Sequence, residues 1–243
     1  MELSIIIPIY NEREKIRADI EAAAGFLTTQ DIAGEVLIVD NASNDDSAEV
    51  AHGTEVPESV SKKVIINSEN LGKGYAVASG VKQSSGRFVM FADSGSCIPY
   101  TNILPALQML REGACDVAHG SRRLPTSIIK RHPPVLRRIL SKVYRYYTFS
   151  MLGIPGHYTD TQCGFKIYHG EKARELFAES IINGFLFDID IMARALKRGY
   201  RVVEFPVEWT SDPDSKVIPH RLAFGVLSDV VAIRKDISQK YFS

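Results

Sequence analysis

Net charge is absent from this 243-residue sequence, because 29 lysines and arginines stand against 29 aspartates and glutamates. Without a net field, the chain has no general attraction for nucleic acid or for an acidic partner. Cysteines are scarce as well: the three present are far apart and form no Cys-x-x-Cys pair. An odd number at such spacing predicts neither a disulfide framework nor a zinc site, and favours a reducing cytosol.

Long apolar runs are also missing. No stretch approaches the ~18 apolar residues typical of a membrane-spanning helix, and the N-terminus lacks the basic region and apolar core of a secretory signal. We therefore expect a cytoplasmic protein, either soluble or peripheral on the cytoplasmic face of a membrane. The length and the 45% hydrophobic content support one α/β domain with a buried core.

Acidic residues are absent between Asp116 and Asp160, whereas this stretch contains eight basic ones: Arg122, Arg123, Lys130, Arg131, Arg137, Arg138, Lys142 and Arg145. Such an excess predicts a basic surface that faces phosphate or an anionic membrane. Over residues 134–154 the cations alternate with aliphatic and aromatic residues, as in an amphipathic helix of a membrane interface. A helix packed on the core with a basic outer face is the alternative.

Strand and helix patterns alternate along the first half of the chain. Apolar runs at 3–10, 35–40, 64–67 and 87–92 predict strands, and helical patterns lie between them. This alternation predicts right-handed crossovers and a mostly parallel, doubly wound sheet, which further strands at 116–119, 164–168 and 201–207 complete. Ligands of such sheets bind beyond the carboxyl ends of the strands, where we expect Tyr10, Asp40 and Asp93.

Eight short motifs, taken in order, resemble the family 2 glycosyltransferases, and within them the polyprenyl-phosphate sugar transferases similar to dolichyl-phosphate glucosyl- and mannosyltransferases. The motifs are SIIIPIYNE (4–12), VLIVDNASND (36–45), NLGKGYAVASG (70–80), FADS (91–94), GSRR (120–123), DTQCGFKIY (160–168), FDID (187–190) and PVEWTSDPDSKV (206–217). DTQCGFK is more similar to the glucosyl branch. The resemblance implies a single GT-A-like, Rossmann-like α/β domain over 1–243. Residues 1–120 would bind the nucleotide, and 121–243, with the basic segment 122–154, the acceptor.

The activity implied by this resemblance is the inverting transfer of a hexose, glucose from UDP-glucose, to a polyprenyl or dolichyl phosphate. Its partners would be a nucleotide-sugar donor, a lipid-phosphate acceptor and a membrane surface, with the oligomeric state left open. One alternative is a hydroxyl acceptor, which would need Asp188 or Asp190 as general base. The other is a nucleotide-sugar-binding pseudoenzyme.

Nucleotide contacts are implied for residues at the predicted strand ends and for the segment after them: Pro8, Tyr10, Glu12, Asp40, Lys73, Asp93 and Ser94. The carboxylate of Asp40 can accept the imide hydrogen of uracil. Gly72-Lys73-Gly74 lacks the spacing of an ATP-binding phosphate loop, and its glycines are expected to let a helix approach the nucleotide closely.

The metal-binding motif departs from the family pattern, since Asp93-Ser94-Gly95 stands where Asp-x-Asp is usual. Charge grows on the departing diphosphate, and a divalent cation commonly neutralises it. We expect Asp93 to hold Mg²⁺ or Mn²⁺ weakly, with an oxygen from Ser94 or Ser96. A pseudoenzyme draws its support from the missing acid.

Contacts with the acceptor or its phosphate are implied for seven residues: Arg122, Arg123, Arg131, Arg137, Asp160, Gln162 and Lys216. The expected catalytic residues are Asp93, Asp188, Asp190 and Arg122. A phosphate acceptor is already ionised and needs no base, so Asp188 and Asp190 would then position the sugar or the metal. A simple interaction with the helix dipole is the other interpretation of these two acids.

Overall fold

The computed structural model describes residues 1–130, 135–210 and 219–241, with the backbone alone at 135–141, 219–224 and 226. The first half runs β1 (Leu3–Ile9), α1 (Arg13–Thr29), β2 (Gly34–Asp40), α2 (Ser47–Gly53), β3 (Ser61–Ile66), α3 (Lys73–Gln83) and β4 (Phe88–Ala92). A 3₁₀ turn (Tyr100–Ile103) is followed by α4 (Leu104–Arg111), β5 (Val117–Ser121), β6 (Ile128–Ile129), α5 (Val135–Leu152), β7 (Phe165–His169), α6 (Gly170–Glu179), α7 (Phe187–Lys197), β8 (Val202–Pro206), β9 (Glu208–Trp209) and α8 (Pro219–Tyr241).

The described strands form a seven-stranded sheet in the order β3-β2-β1-β4-β7-β5-β8, and β6 pairs with β9 in a small second sheet. Neighbours in the large sheet are parallel, except that β7 is antiparallel to both β4 and β5. The predicted mostly parallel α/β sheet is therefore confirmed. The reversed direction of β7 was not predicted, because an apolar run does not encode strand direction.

Both faces of the sheet are buried, which explains the continuous apolar runs of the parallel strands. Successive side chains of β1 point to opposite faces: Ile5 and Ile7 pack in the cluster that contains Ile16 of α1, whereas Ile6 packs with Val77 of α3. Helices thus cover the two faces and leave the carboxyl ends of the strands accessible.

Strands from both sides of residue 120 belong to the same large sheet, since β5, β7 and β8 extend the sheet that β1–β4 begin. The division into a nucleotide half and an acceptor half stays a prediction. Helix α5 forms as expected and packs against α8. Among the described helices, none combines the length and the apolar character that crossing a membrane requires.

Candidate functional site

The loops after β1 and β2 form one polar rim at the sheet edge. Asp40 ends β2, is only 2% exposed, and its Oδ1 accepts the Ser43 amide at 3.2 Å and the Ser43 hydroxyl. The Asn11 amide donates to Ser43 Oγ at 2.9 Å, and Asn44 Nδ2 lies 3.4 Å from the Tyr10 hydroxyl. The rim therefore contains Tyr10, Glu12 and Asp40, and Pro8 precedes it within β1; the nucleotide contacts of all four stay predictions.

Side-chain amides connect this rim to the start of α3. Asn41 donates from Nδ2 to Asn70 Oδ1 at 2.7 Å and to the Gly72 carbonyl at 3.1 Å, and it accepts from Asn67 at 3.1 Å. The network fixes where α3 begins relative to β2. Sequence reasoning passed over these asparagines, although Asn41 directly follows one predicted strand and Asn67 ends another.

Lys73, the first residue of α3, reaches Asp93 at the end of β4, with 2.5 Å between Nζ and Oδ1. Its ammonium also lies 5.9 Å from the ring centroids of Phe91 and Phe187. Burial lowers the pKa of Lys73, but the carboxylates of Asp93 and Asp188 outweigh it and leave the pKa raised. Lys73 is therefore a fixed cation of the site and not a solvated surface lysine.

The glycines around Lys73 lie close to the backbone of the segment before α7. Gly72 has a φ of 109°, and a Cβ there would lie 2.5 Å from the Asn183 carbonyl oxygen. A Cβ on Gly74 would lie 2.6 Å from the Ile182 carbonyl oxygen. These contacts show that the glycines make room for the segment before α7, and the predicted close approach of the helix to the nucleotide stays a prediction.

Asp19, a residue that sequence reasoning missed, holds the loop after Asp93. It lies on α1 at 3% exposure and accepts Ser94 Oγ at 2.6 Å, the Gly95 amide at 2.9 Å and Ser96 Oγ at 2.7 Å. Both hydroxyls expected to assist a metal are thus directed at Asp19, and the roles of Ser94 with nucleotide and metal stay predictions. The available signal was an aspartate on the apolar face of an amphipathic helix.

Lys166 is a second cation that sequence reasoning missed. It is fully buried on β7, its Nζ lies 2.5 Å from Asp188 Oδ1, and it donates to the Cys163 carbonyl at 2.7 Å. Burial raises the pKa of Asp188, and the nearby Lys166 and Lys73 counter this only in part. We call one group of four side chains the charge cluster: Lys73, Asp93, Lys166 and Asp188. It contains two positive and two negative groups.

Asp190 does not join this cluster, although it lies only two residues from Asp188. It is fully buried and accepts Arg194 Nε at 2.8 Å, Ser180 Oγ at 2.8 Å and the Ile181 amide at 3.1 Å. Arg194 continues to Asp236 of α8 at 2.7 Å. The expectation of a catalytic Asp190 is therefore corrected: on a helix, residues two apart point to different sides, and this one joins helices.

Arg122 and Asp160 bind each other, whereas we expected both to contact the acceptor or its phosphate. Arg122 donates from Nε at 2.6 Å and from Nη2 at 2.8 Å to the two Asp160 oxygens. Burial raises the pKa of Asp160, but Arg122 outweighs it and holds that pKa below its usual value. The Trp209 ring lies against the Arg122 guanidinium, with 5.2 Å between Cζ and the ring centroid. Glu204 of β8 accepts a hydrogen bond from the Asp160 amide at 2.7 Å and so holds the Asp160 backbone in position.

The remaining predicted acceptor residues are only partly placed. Gln162 donates to the Tyr144 hydroxyl at 3.2 Å and so connects to α5, and the Arg123 amide lies 3.2 Å from Ser121 Oγ. Arg131 and Lys216 lie outside the described residues, as does the side chain of Arg137.

Comparison with known proteins places these features in context. The sequence model of Glycosyl transferase family 2 matches residues 4–177. Dolichyl-phosphate beta-glucosyltransferase of Dictyostelium discoideum is 28% identical over 242 residues, which cover 96% of this chain and 73% of that protein. The Drosophila melanogaster protein of the same name is 30% identical over 232 residues, covering 90% and 70%.

Solved structures share the fold at lower sequence identity. Glucosyl-3-phosphoglycerate synthase of Mycobacterium tuberculosis, in complex with Mn²⁺, UDP and phosphoglyceric acid, has a TM-score of 0.69 at 17% identity, over 96% of this chain and 78% of that one. Mannosyl-3-phosphoglycerate synthase of Rubrobacter xylanophilus has a TM-score of 0.71 at 18% identity, over 99% and 75%.

Proposed function

The chain belongs to glycosyl transferase family 2, and we propose that it transfers glucose from UDP-glucose, with inversion, to dolichyl phosphate or another polyprenyl phosphate. The family resemblance that the motifs indicated is confirmed by the match over residues 4–177, and the α/β GT-A fold by the solved neighbours. The names of the two dolichyl-phosphate glucosyltransferases support glucose as the sugar and a lipid phosphate as the acceptor.

The burial of both candidate bases is the observation that carries the choice of acceptor. Asp188 is 4% exposed and paired with Lys166, and Asp190 is fully buried and bound by Arg194. A sugar hydroxyl must lose a proton to a nearby base before it attacks efficiently. A phosphate oxygen is ionised near neutral pH, so an acceptor of this kind needs neither acid. This favours a lipid phosphate over a hydroxyl.

The donor is proposed to lie along the polar rim, where ligands of doubly wound sheets bind. Ser43 engages Oδ1 of Asp40, and we assign Oδ2 to the imide hydrogen of uracil. Tyr10 contributes its ring or its hydroxyl, and the diphosphate extends toward Lys73 and Asp93. The leaving group then develops its charge beside a fixed ammonium, which is the form of stabilisation that the reaction requires.

The acceptor is proposed to approach from the side of α5, because this helix has one buried and one exposed face. Phe149 and Leu152 are buried, whereas Val143 is 64% exposed and Tyr146 is 80% exposed. The helix thus packs on the core and also presents apolar side chains beside Lys142. We assign this exposed face to a membrane interface on the cytoplasmic side.

A transfer assay with extraction of lipid tests the function. Labelled UDP-glucose, GDP-mannose and UDP-N-acetylglucosamine are each incubated with the protein, with and without a short polyprenyl phosphate. We expect labelled lipid only when UDP-glucose and the polyprenyl phosphate are both present, and none from the Asp93→Asn variant. Binding of the donor without turnover would favour the pseudoenzyme, and glucose transfer to an added sugar alcohol would favour the hydroxyl acceptor.

A further inference from the structure

The carboxylate expected to hold a metal ion already has a cation beside it. Asp93 Oδ1 lies 2.5 Å from Lys73 Nζ, and Gly95 stands where the family pattern has its second acid. Among the residues whose side chains the structure describes, no group of three or more His, Cys, Asp or Glu could hold a metal ion by protein ligands alone. Mg²⁺ is usually held by one or two protein carboxylates together with substrate phosphates, but here the two carboxylates of the charge cluster each have an ammonium at contact distance, which opposes a second cation. The residues present do not fit a divalent cation.

The two serines of this loop do not replace the missing acid. Ser94 and Ser96 donate their hydroxyl hydrogens to Asp19 at 2.6 and 2.7 Å, and the Gly95 amide donates to the same carboxylate at 2.9 Å. Asp19 is buried, so turning either hydroxyl toward Asp93 would leave part of a desolvated carboxylate without its donor. Both hydroxyl hydrogens are therefore engaged by Asp19.

Lys73 is both fixed and reachable. Its side chain is 20% exposed, and the rings of Phe91 and Phe187 flank the ammonium at 5.9 Å. It begins α3, an eleven-residue helix whose N-terminal end adds positive potential. Lysine is a common phosphate ligand that acts as a point charge. A phosphate oxygen can thus reach the ammonium while Asp93 keeps it in place.

We propose that the Lys73 ammonium takes the place of the divalent cation, so that this chain binds the nucleotide diphosphate and transfers the sugar without a metal ion. The proposal rests on the proposed function and assigns the charge compensation within that site. The bond from the anomeric carbon to the diphosphate oxygen breaks, and its electron pair stays on that oxygen beside Lys73. An ionised oxygen of the acceptor phosphate forms the new bond, and no proton is transferred.

Isothermal titration calorimetry with UDP, and with GDP as a second probe, tests the proposal in EDTA and in Mn²⁺. For the unaltered protein we expect the Kd of UDP to differ less than about threefold between the two buffers. Lys73→Met removes a charge-assisted contact and should weaken binding in EDTA by about 10- to 100-fold. Lys73→Arg should recover most of that loss. Lys82→Met, on an exposed position of the same helix, is the matched control and should bind as the unaltered protein does.

Several results would overturn the proposal. If Mn²⁺ tightens UDP binding of the unaltered protein by about tenfold or more, the metal is required and Lys73 does not replace it, although nucleotide binding itself would still support the proposed function. Equal affinities of Lys73→Met and the unaltered protein, with both shown to be folded by circular dichroism, would also refute it. Failure to bind UDP and GDP in either buffer would overturn both proposals.

Discussion

Replacing Gly164 by alanine should disable the site through a single methyl group. A Cβ at this position would lie 2.0 Å from Asp93 Oδ2 and 2.2 Å from its Cγ. Ordinary contacts between carbon and oxygen are longer than 3 Å, so the carboxylate must move by about 1 Å or more. The backbone cannot yield easily, because the Asp93 amide donates to the Gly164 carbonyl at 2.9 Å and the ladder of β4 and β7 begins at the adjacent pair, Ala92 and Phe165.

The expected cost is large for activity and moderate for stability. A displacement of about 1 Å of a positioned group reduces the rate by about 100-fold. Overpacking at a tight site destabilises by about 1–3 kcal/mol, and in a domain of this size each kcal/mol lowers Tm by about 2–4 °C. The backbone of Gly164 lies outside the left-handed region, so alanine adds no conformational strain.

The assay is glucose transfer to polyprenyl phosphate at a temperature where both variants are folded, together with a thermal melt of each. Gly156→Ala is the matched control, because a Cβ there would meet no atom within 4 Å and its φ is also compatible with alanine. Gly164→Ala with the activity of the control would refute the reasoning. So would a loss of activity that only follows the fraction of unfolded protein.

Three further predictions concern other parts of the chain. Asp190→Asn should lower the free energy of unfolding by about 3–5 kcal/mol, because it leaves the buried Arg194 without a full counter-charge. The folded fraction of this variant should keep its transfer rate. A specific loss of transfer rate with unchanged urea denaturation would restore the catalytic interpretation of Asp190. Asp116 is held at a pKa of about 2, because two neighbouring cations outweigh the opposing effect of burial. The Asp116 carboxylate therefore contributes about 2 kcal/mol to the free energy of unfolding above pH ~4, and this contribution is lost as the pH falls toward 2. Asp116→Asn should consequently show a smaller difference in urea midpoint between pH 7 and pH 3 than the unaltered protein. An equal difference would contradict this. Tyr146→Asp should reduce flotation with anionic liposomes, and no flotation of the unaltered protein with either anionic or neutral lipid would remove the membrane-interface proposal.

Lys166 and Asp188 illustrate how the structure changed the interpretation of a motif. FDID suggested two equivalent acids at the head of a helix, either of which could act as a base. The structure directs one into the charge cluster and the other into the junction with α8. The two acids have the same local sequence setting, and only the packing partners on the two sides of α7 distinguish them.

Local sequence was sufficient for the strand positions, the α/β class and the family. The apolar runs of β1, β2 and β4 are short, are bounded by polar residues and alternate with helical segments, so strand positions follow from hydrophobic burial alone. The same runs end at Tyr10, Asp40 and Asp93, and parallel strands bring such ends to one edge. The order of the motifs along the chain indicated the family without any knowledge of contacts.

The tertiary structure alone decided which charges meet. Asp19 reaches a loop 75 residues further along the chain, and Arg122 pairs with an acid 38 residues away. An aspartate has many basic and hydroxyl partners available in a chain of this length, and the choice among them depends on the direction of β7, the contact of α3 with the segment before α7, and the placement of α1 beneath the loop after β4. Those are consequences of packing between distant elements, so no local pattern records them.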